Sequence, residues 1–244
     1  MSMQSVPSAP LKIRTAPASS KKKLPPPLFS GDRLSRAEFE RRYIAHPEIK
    51  QAELIEGVVY IMPSPIHFNF HARPHGWFIA WVANYCAATP GVNLGDNATL
   101  RLDYENEVQP DVLLRLESGV GGRSKVTEDD YLEGPPELII EIAASSASYD
   151  LHDKRRVYAR NGIPEYIVTQ MYDQHFDWFI LRAGIYENLQ PGPDGIYRSE
   201  IFPGLWLRAE DFWTGNLTGM VATLQQGLVS KEHNEYKKTL SPQT

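Results

Sequence analysis

Cysteine is nearly absent from this 244-residue chain: Cys86 is the only one. A single thiol can build neither a disulfide framework nor a cysteine-based zinc site. Cys86 lies in the apolar stretch from Trp77 to Ala88, where a buried, inert thiol is expected rather than a nucleophile. A reducing compartment is its natural setting. Long hydrophobic runs are missing as well, since none approaches the ~20 residues that span a bilayer. The basic residues Lys12, Arg14 and Lys21 to Lys23 precede no apolar stretch of the kind a signal peptide carries. A soluble cytoplasmic protein with no membrane partner is therefore expected. Positive charge is also in deficit, with 25 Lys and Arg against 30 Asp and Glu and a net charge of -5. Polyanion binders usually display a basic surface, so this balance weighs against one. An enzyme that gathers carboxylates around metal ions, however, lowers its own formal charge, and the bound ions restore part of it. No serine elbow or cysteine–histidine pairing supports a hydrolase built on a side-chain nucleophile.

What the chain has is apolar material, 42% hydrophobic residues and 11% aromatics, enough for one sizeable core of ~200 residues. Residues 1–30 read as a disordered arm, rich in Ser, Pro, Ala and Lys, with Lys21 to Lys23 just before Pro25 to Pro27. A weak phosphate-binding role is the lesser alternative to a solvated tail. Residues 31–215 read as one domain, and 216–244 as a helical or disordered tail, polar and frayed from Lys231. Within the domain, Asp32 to Tyr43 has helical spacing. Ala52 to Ile55 and Val58 to Met62 flank Glu56-Gly57 as a hairpin that Pro63-Ser64-Pro65 ends. Phe78, Ile79, Trp81, Val82 and Tyr85 fit a buried helix that begins or bends near Pro74. Leu100 to Asp103 and Asp111 to Leu116 read as strands around a polar turn, Tyr104 to Gln109, with a loop from Gly119 to Asp130. Leu138 to Ala143 (LIIEIA) reads as a central strand buried on both faces. Ser145 to Ser148 lead into a helix from Leu151 to Arg160, then Glu165 to Val168 forms another strand. Asp177 to Leu181, Ile185 to Leu189 and Tyr197 to Phe202 read as a terminal antiparallel set, and Ala209 to Trp213 as a short helix. Strand, strand, helix, strand with hairpins on both sides indicates an α/β sheet domain.

Glu141 stands out because it interrupts LIIEIA. An ionised carboxylate in a strand buried on both faces costs several kcal/mol unless compensated, and either an arginine or a metal ion can compensate it. Asp111 opens a second apolar run, VLL, right after Pro110, a residue tolerated at strand starts. Alone it would be a turn residue, but two acids at comparable points of adjacent strands can converge on one hard cation such as magnesium. Lys154 and Tyr158 are four apart in the sequence and share a helix face, as do Asp150 and Lys154, for which a surface ion pair is the default. A lysine near two metal-bound carboxylates can orient or help deprotonate a water and offset transition-state charge.

The chain resembles the PD-(D/E)XK nuclease superfamily and, more closely, the Uma2 family of restriction-endonuclease-like proteins. The resemblance runs from about Leu34 to Phe212. It is carried by AELIEG (Ala52 to Gly57), MPSPIH (Met62 to His67), QPDV (Gln109 to Val112), GPPELIIEI (Gly134 to Ile142), DLHDKRRVY (Asp150 to Tyr158) and GIPEY (Gly162 to Tyr166). It implies a restriction-endonuclease-like core, with a central mixed β-sheet flanked by helices and extra β-hairpins. It also implies an endonuclease hydrolysing phosphodiester bonds of DNA with Mg²⁺ or Mn²⁺. By the resemblance, Asp111 is the PD aspartate, Glu141 the acid of the second element, and Glu53 an acid from an N-terminal element, so that these three hold the metal. The lysine usually found two residues after the second acid is replaced by Ala143, and the resemblance places a lysine on the following helix, Lys154. His67 matches a histidine after the S-P pair.

Each assignment has a plainer alternative. Glu53 could be a hairpin-surface acid, and His67 a helix-start residue bonding backbone. Asp150 and Asp153 are expected to be acids favoured by a helix N-terminus, and Tyr158 to be packed. His71 and His75 near His67 suggest zinc, but Pro74 disturbs their spacing and the sequence offers no evident partner acid, so no zinc site is expected. The competing function is a non-catalytic accessory module of the same fold, for which the acidic balance, Ala143 and Pro74 argue. Double-strand cleavage generally needs two sites, which points to a homodimer without requiring one.

Overall fold

The computed structural model describes residues 24–62, 66–144 and 150–240. The expected stop at Pro63 to Pro65, the lead-in Ser145 to Ser148 and the basic run Lys21 to Lys23 lie outside the described residues. The packed chain begins before residue 31, since Leu28 is buried against Phe39, Leu54 and Val59. Helix α1 (Arg36–Ala45) starts later than its apolar spacing predicts. Ser35 caps it, its hydroxyl accepting from the Glu38 N–H at 3.4 Å. Asp32 is spent instead on a preceding turn, accepting from the Phe29 N–H at 3.1 Å.

Strands β1 (Ala52–Ile55) and β2 (Val58–Ile61) form the expected hairpin. Glu56 and Gly57 both take positive φ, 51° and 72°, as a two-residue turn matching strand twist requires. A π-helical turn, Phe68–Ala72, then runs directly into α2 (Arg73–Ala88). Pro74 falls at the start of the α-helical part, where its missing N–H is tolerated. The α-helix thus begins near Pro74, the first of the two outcomes expected, and Pro74 does not interrupt it.

The strands that follow are β3 (Val92–Asp96), β4 (Leu100–Asp103), β5 (Asn106–Val108), β6 (Val112–Leu116), β7 (Lys125–Val126), β8 (Leu132–Glu133) and β9 (Leu138–Ala143). A second π turn, Asp150–Lys154, leads into α3 (Arg155–Arg160). Then come β10 (Glu165–Gln170), β11 (His175–Arg182), β12 (Ile185–Asn188), β13 (Ile196–Arg198), β14 (Trp206–Arg208), α4 (Ala209–Trp213), α5 (Leu217–Leu228) and α6 (Lys231–Thr239).

Two six-stranded mixed sheets result, in the orders β2-β1-β5-β4-β8-β7 and β12-β11-β10-β9-β6-β3, with β13-β14 as a separate ribbon. Parallel pairing joins β9 to β10 in one sheet and β4 to β8 in the other. Three expectations are revised. The polar turn from Tyr104 to Gln109 contains β5, whose Asn106, Glu107 and Val108 are all buried. Strand β3 was not anticipated from its mixed sequence, VNLGD. Strands β11 and β12 pair antiparallel as expected, but they extend the β9 sheet, while the expected strand from Tyr197 to Phe202 is Ile196–Arg198 in the separate ribbon.

Strand alternation divides the core. Leu138, Ile140 and Ile142 of β9 face a cluster with Phe78, Trp81, Val82 and Tyr85 of α2 and Met220 and Leu224 of α5. Ile139 and Ala143 face a second cluster with Leu113, Val157 and Tyr158. The β9 sheet is thus covered on both faces. Met220, Leu224, Leu228 and Leu240 belong to this packing, and Lys231–Thr239 form α6 where a frayed tail was expected. His233 of α6 is fully buried, its Nδ1 2.7 Å from the Leu228 carbonyl and its Nε2 2.9 Å from the Thr89 hydroxyl. Burial pushes the Cys86 thiol up to about 12, which makes it inert as a nucleophile at neutral pH. Among the described residues no helix is long and apolar enough to cross a membrane.

Candidate functional site

The chain passes from one sheet to the other through Gln109-Pro110-Asp111, between β5 and β6, and the candidate site is built around that crossing. Pro110 brings no N–H, which suits the first residues of a strand. The crossing is tied to both sheets by carboxylates. On β1, Glu53 accepts from the Gln109 N–H at 2.8 Å. On the other side, Asp111 Oδ2 accepts from the Ile142 N–H of β9 at 2.7 Å. The last register pair between β6 and β9 is Val112 with Ile140, so Asp111 and Glu141 stand one residue beyond it. Alternation places both on the face that carries Leu113 and Ile139, the face covered by α3.

Lys154 reaches this face from the end of the second π turn. Its Nζ lies 2.9 Å from Glu141 Oε1 and 3.0 Å from Glu53 Oε2. One helical turn on, the Tyr158 hydroxyl donates to the same Glu141 oxygen at 2.9 Å. Tyr158 is packed as expected, edge-on to Tyr166 at 4.9 Å between ring centroids. All of these groups are buried, with Lys154 only 3% exposed. The structure therefore brings Glu53, Glu141 and Lys154 into one ion-pair cluster, with Asp111 bonded to the residue next to Glu141. Glu53 lies inside β1, not on a hairpin surface. Ala143, two residues after Glu141 on the same strand face, is buried among apolar residues.

The remaining candidates separate from this cluster. His67 is exposed at the start of the first π turn, where its carbonyl accepts from the N–H groups of His71 and Ala72 at 3.0 and 3.1 Å. Asp153 is a helix-start acid paired with Arg156 at 2.8 Å. The Asp150 side chain lies outside the described residues. His71 and His75, dismissed from the sequence, are at the site. His71 Nε2 is 3.0 Å from Asp111 Oδ1, and His75 Nε2 is 3.0 Å from the Asp111 carbonyl and 3.1 Å from Asp96 Oδ1. Both grounds for the dismissal fail: the helix is continuous through Pro74, and the partner acid is Asp111. Their four-residue spacing was the available signal.

Glu53 and Glu141 share the Lys154 ammonium, leaving one formal negative charge in a buried place, and the Asp111 carboxylate stands beside them, bonded to the Ile142 N–H. Isolated buried charge is costly, and hard carboxylate oxygens are the donors that divalent cations such as Mg²⁺ take. By chemistry the carboxylates suit such an ion; among the described residues, the group of donors lying within 4.8 Å of one another is His71, His75 and Asp111.

Mixed sheets flanked by helices define an α/β fold. The sequence model of the family described as "Uma2: Putative restriction endonuclease" matches residues 36–210, and the chain belongs to that family. Among solved structures, the chain is similar to a crystal structure from Anabaena variabilis titled "a putative nuclease belonging to DUF820". That match has 13% sequence identity and a TM-score of 0.51, and it covers 67% of this chain and 89% of the other. At that identity the likeness shows the fold. No curated protein matches the chain.

Proposed function

We propose that the protein is a metal-dependent endonuclease that hydrolyses phosphodiester bonds in DNA. The observation that carries this reading is Lys154 Nζ standing within 3.0 Å of both the Glu53 and Glu141 carboxylates, in a buried cluster beside Asp111. Asp111 and Glu141 would hold Mg²⁺ or Mn²⁺, and Glu53 a ligand water or a second ion. When bound, such an ion polarises a phosphoryl oxygen and lowers the pKa of water. The chain's own residues supply the rest. The Lys154 ammonium orients the attacking water and offsets charge on the phosphoryl oxygens as the bond to the leaving oxygen breaks. The Tyr158 hydroxyl fixes the orientation of Glu141, and the Gln109 N–H fixes that of Glu53. The Ile142 N–H does the same for Asp111.

A non-catalytic accessory module of the same fold is the second reading, favoured by the acidic balance of 30 carboxylates against 25 basic residues. Its other grounds have weakened, because Pro74 does not interrupt a helix and Lys154 supplies an ammonium where Ala143 cannot. Supercoiled plasmid incubated with Mg²⁺ or Mn²⁺ separates the two readings. Nicking by the wild type that is lost in Asp111→Ala and Glu141→Ala supports the endonuclease. Equal nicking by all three proteins means contamination and removes the claim. Double-strand cuts would call for two sites, and hence two copies of the chain.

A further inference from the structure

The reaction described above leaves two histidines at its edge without a task. His71 lies in the first π turn and His75 in the first turn of α2, and the uninterrupted helix puts them four residues apart on one face. Their rings lie 5.7 Å apart between centroids, nearly perpendicular at 81°. Both present Nε2 to Asp111, one to its carboxylate and one to its carbonyl. One ligand atom from each of His71, His75 and Asp111 lies within 4.8 Å of the others. The two imidazoles are half-buried, with 25% and 14% of their side-chain surface exposed. A solvated ion can therefore reach them. Asp96, more than half exposed, stands at the solvent side within 3.1 Å of His75 Nε2.

We propose that His71, His75 and Asp111 form a binding site for a divalent transition-metal ion of the Mn²⁺ to Zn²⁺ series. The argument is the donor set. Mg²⁺ selects oxygen ligands and keeps its waters, whereas imidazole suits the transition ions, whose affinity for nitrogen sites rises toward Zn²⁺. Two imidazoles and one carboxylate are also a set that leaves coordination positions for water or a phosphate oxygen. Ordinary hydrogen bonding from each histidine to Asp111 is the competing explanation. It accounts for each contact singly but gives no reason for two imidazoles to converge on the same residue. The inference rests on the proposed nuclease site only through the shared Asp111.

The test uses the full chain, freed of metal by chelator dialysis and titrated at about pH 7.5, since metal binding requires deprotonated ligands. Zn²⁺ and Mg²⁺ are compared by calorimetry, and Mn²⁺ is examined for nitrogen-14 coupling by pulsed electron paramagnetic resonance. The site predicts Zn²⁺ binding at least about tenfold tighter than Mg²⁺ and imidazole nitrogen coupling to bound Mn²⁺. It also predicts a loss of Zn²⁺ affinity of roughly tenfold or more in His71→Gln and His75→Gln. Nitrogen coupling needs no variant, so its absence from Mn²⁺-loaded wild type overturns the proposal even if the variants fail to fold. Unchanged Zn²⁺ affinity in folded variants overturns it as well. Histidine-dependent Zn²⁺ binding without cleavage by any ion would sustain this site and sink the nuclease reading. Cleavage supported by Mg²⁺ and indifferent to both substitutions, with no nitrogen coupling, would do the reverse.

Discussion

Replacing Lys154 with methionine keeps the stem and removes the charge, so it isolates the ammonium. That ammonium sits 2.9 Å from Glu141 and 3.0 Å from Glu53, almost without solvent. At an effective dielectric of about 20, each contact is worth ~5–6 kcal/mol before desolvation is subtracted. Removing one partner of a buried pair costs ~3–5 kcal/mol, because the other charge is left uncompensated. Lys154→Met should therefore lose about that much in urea unfolding with a chelator present. Metal should then act differently on the two proteins. In the wild type an arriving cation must share Glu141 and Glu53 with the ammonium. In the variant both carboxylates are released to it, so binding tightens. Saturation at ~100 times the dissociation constant stabilises by about 2.7 kcal/mol, enough to recover much of the deficit. Plasmid nicking should stay abolished, since the ion does not replace the lysine. A variant within about 1 kcal/mol of wild type in chelator would refute the ammonium as the counterion of this cluster. A deficit indifferent to Mg²⁺ and Mn²⁺ would refute the carboxylates as an ion site, and nicking at the wild-type rate would refute the role of Lys154.

Two further outcomes follow from groups away from the site. Glu107 is held well above the usual carboxylate range by its burial first and by Glu40 beside it second. The folded chain thus keeps a proton that the unfolded chain releases, and stability falls as pH rises from the ordinary value of 4.5 into the neutral range. Glu107→Gln should flatten that slope in thermal melts taken across the window; an identical slope in both proteins would place the titration elsewhere. Leu224 of α5 has no exposed surface and packs in the cluster of Phe78 and Trp81. Leu224→Ala should cost ~2–5 kcal/mol in a single unfolding transition, and a negligible loss would show α5 to be peripheral.

The parts of this structure legible in the sequence are those where local pattern and tertiary environment agree. LIIEIA could be read as a strand buried on both faces because six apolar-dominated residues leave no polar face, and the structure buries all six. The Glu56-Gly57 turn was readable because positive φ at two successive positions restricts the residue types. Strand β5 was hidden because Asn106 and Glu107 are polar. Asn106 is buried by bonds that a sequence does not display, its side chain accepting from the Glu56 N–H and donating to Asp103. Helix α6 was hidden by its polar composition, since few of its residues turn inward and His233 does so through two hydrogen bonds. Pro74 misled because a proline's effect depends on where the helix begins, and a π turn ahead of α2 shifts that point. The histidine pair was discarded with it, although the acid it needed, Asp111, had already been singled out.

The displaced lysine changes what holds the site in shape. On a strand, an ammonium two residues after Glu141 would be placed by sheet register alone. Here that position is Ala143, given over to the apolar cluster on the α3 face. The ammonium comes instead from the segment that also brings Tyr158 to the same Glu141 oxygen. Val157 and Tyr158 pack in one cluster with Ile139 of β9 and Leu113 of β6, so the seating of α3 on the sheet sets where Lys154 Nζ lies. Side chains buried in a close-packed cluster have little freedom to shift. A cavity opened under α3 should therefore disturb the site more than an equal cavity on the α2 side of the same strand. The side of β9 on which packing is lost decides the effect, because only one face carries both acids and the lysine.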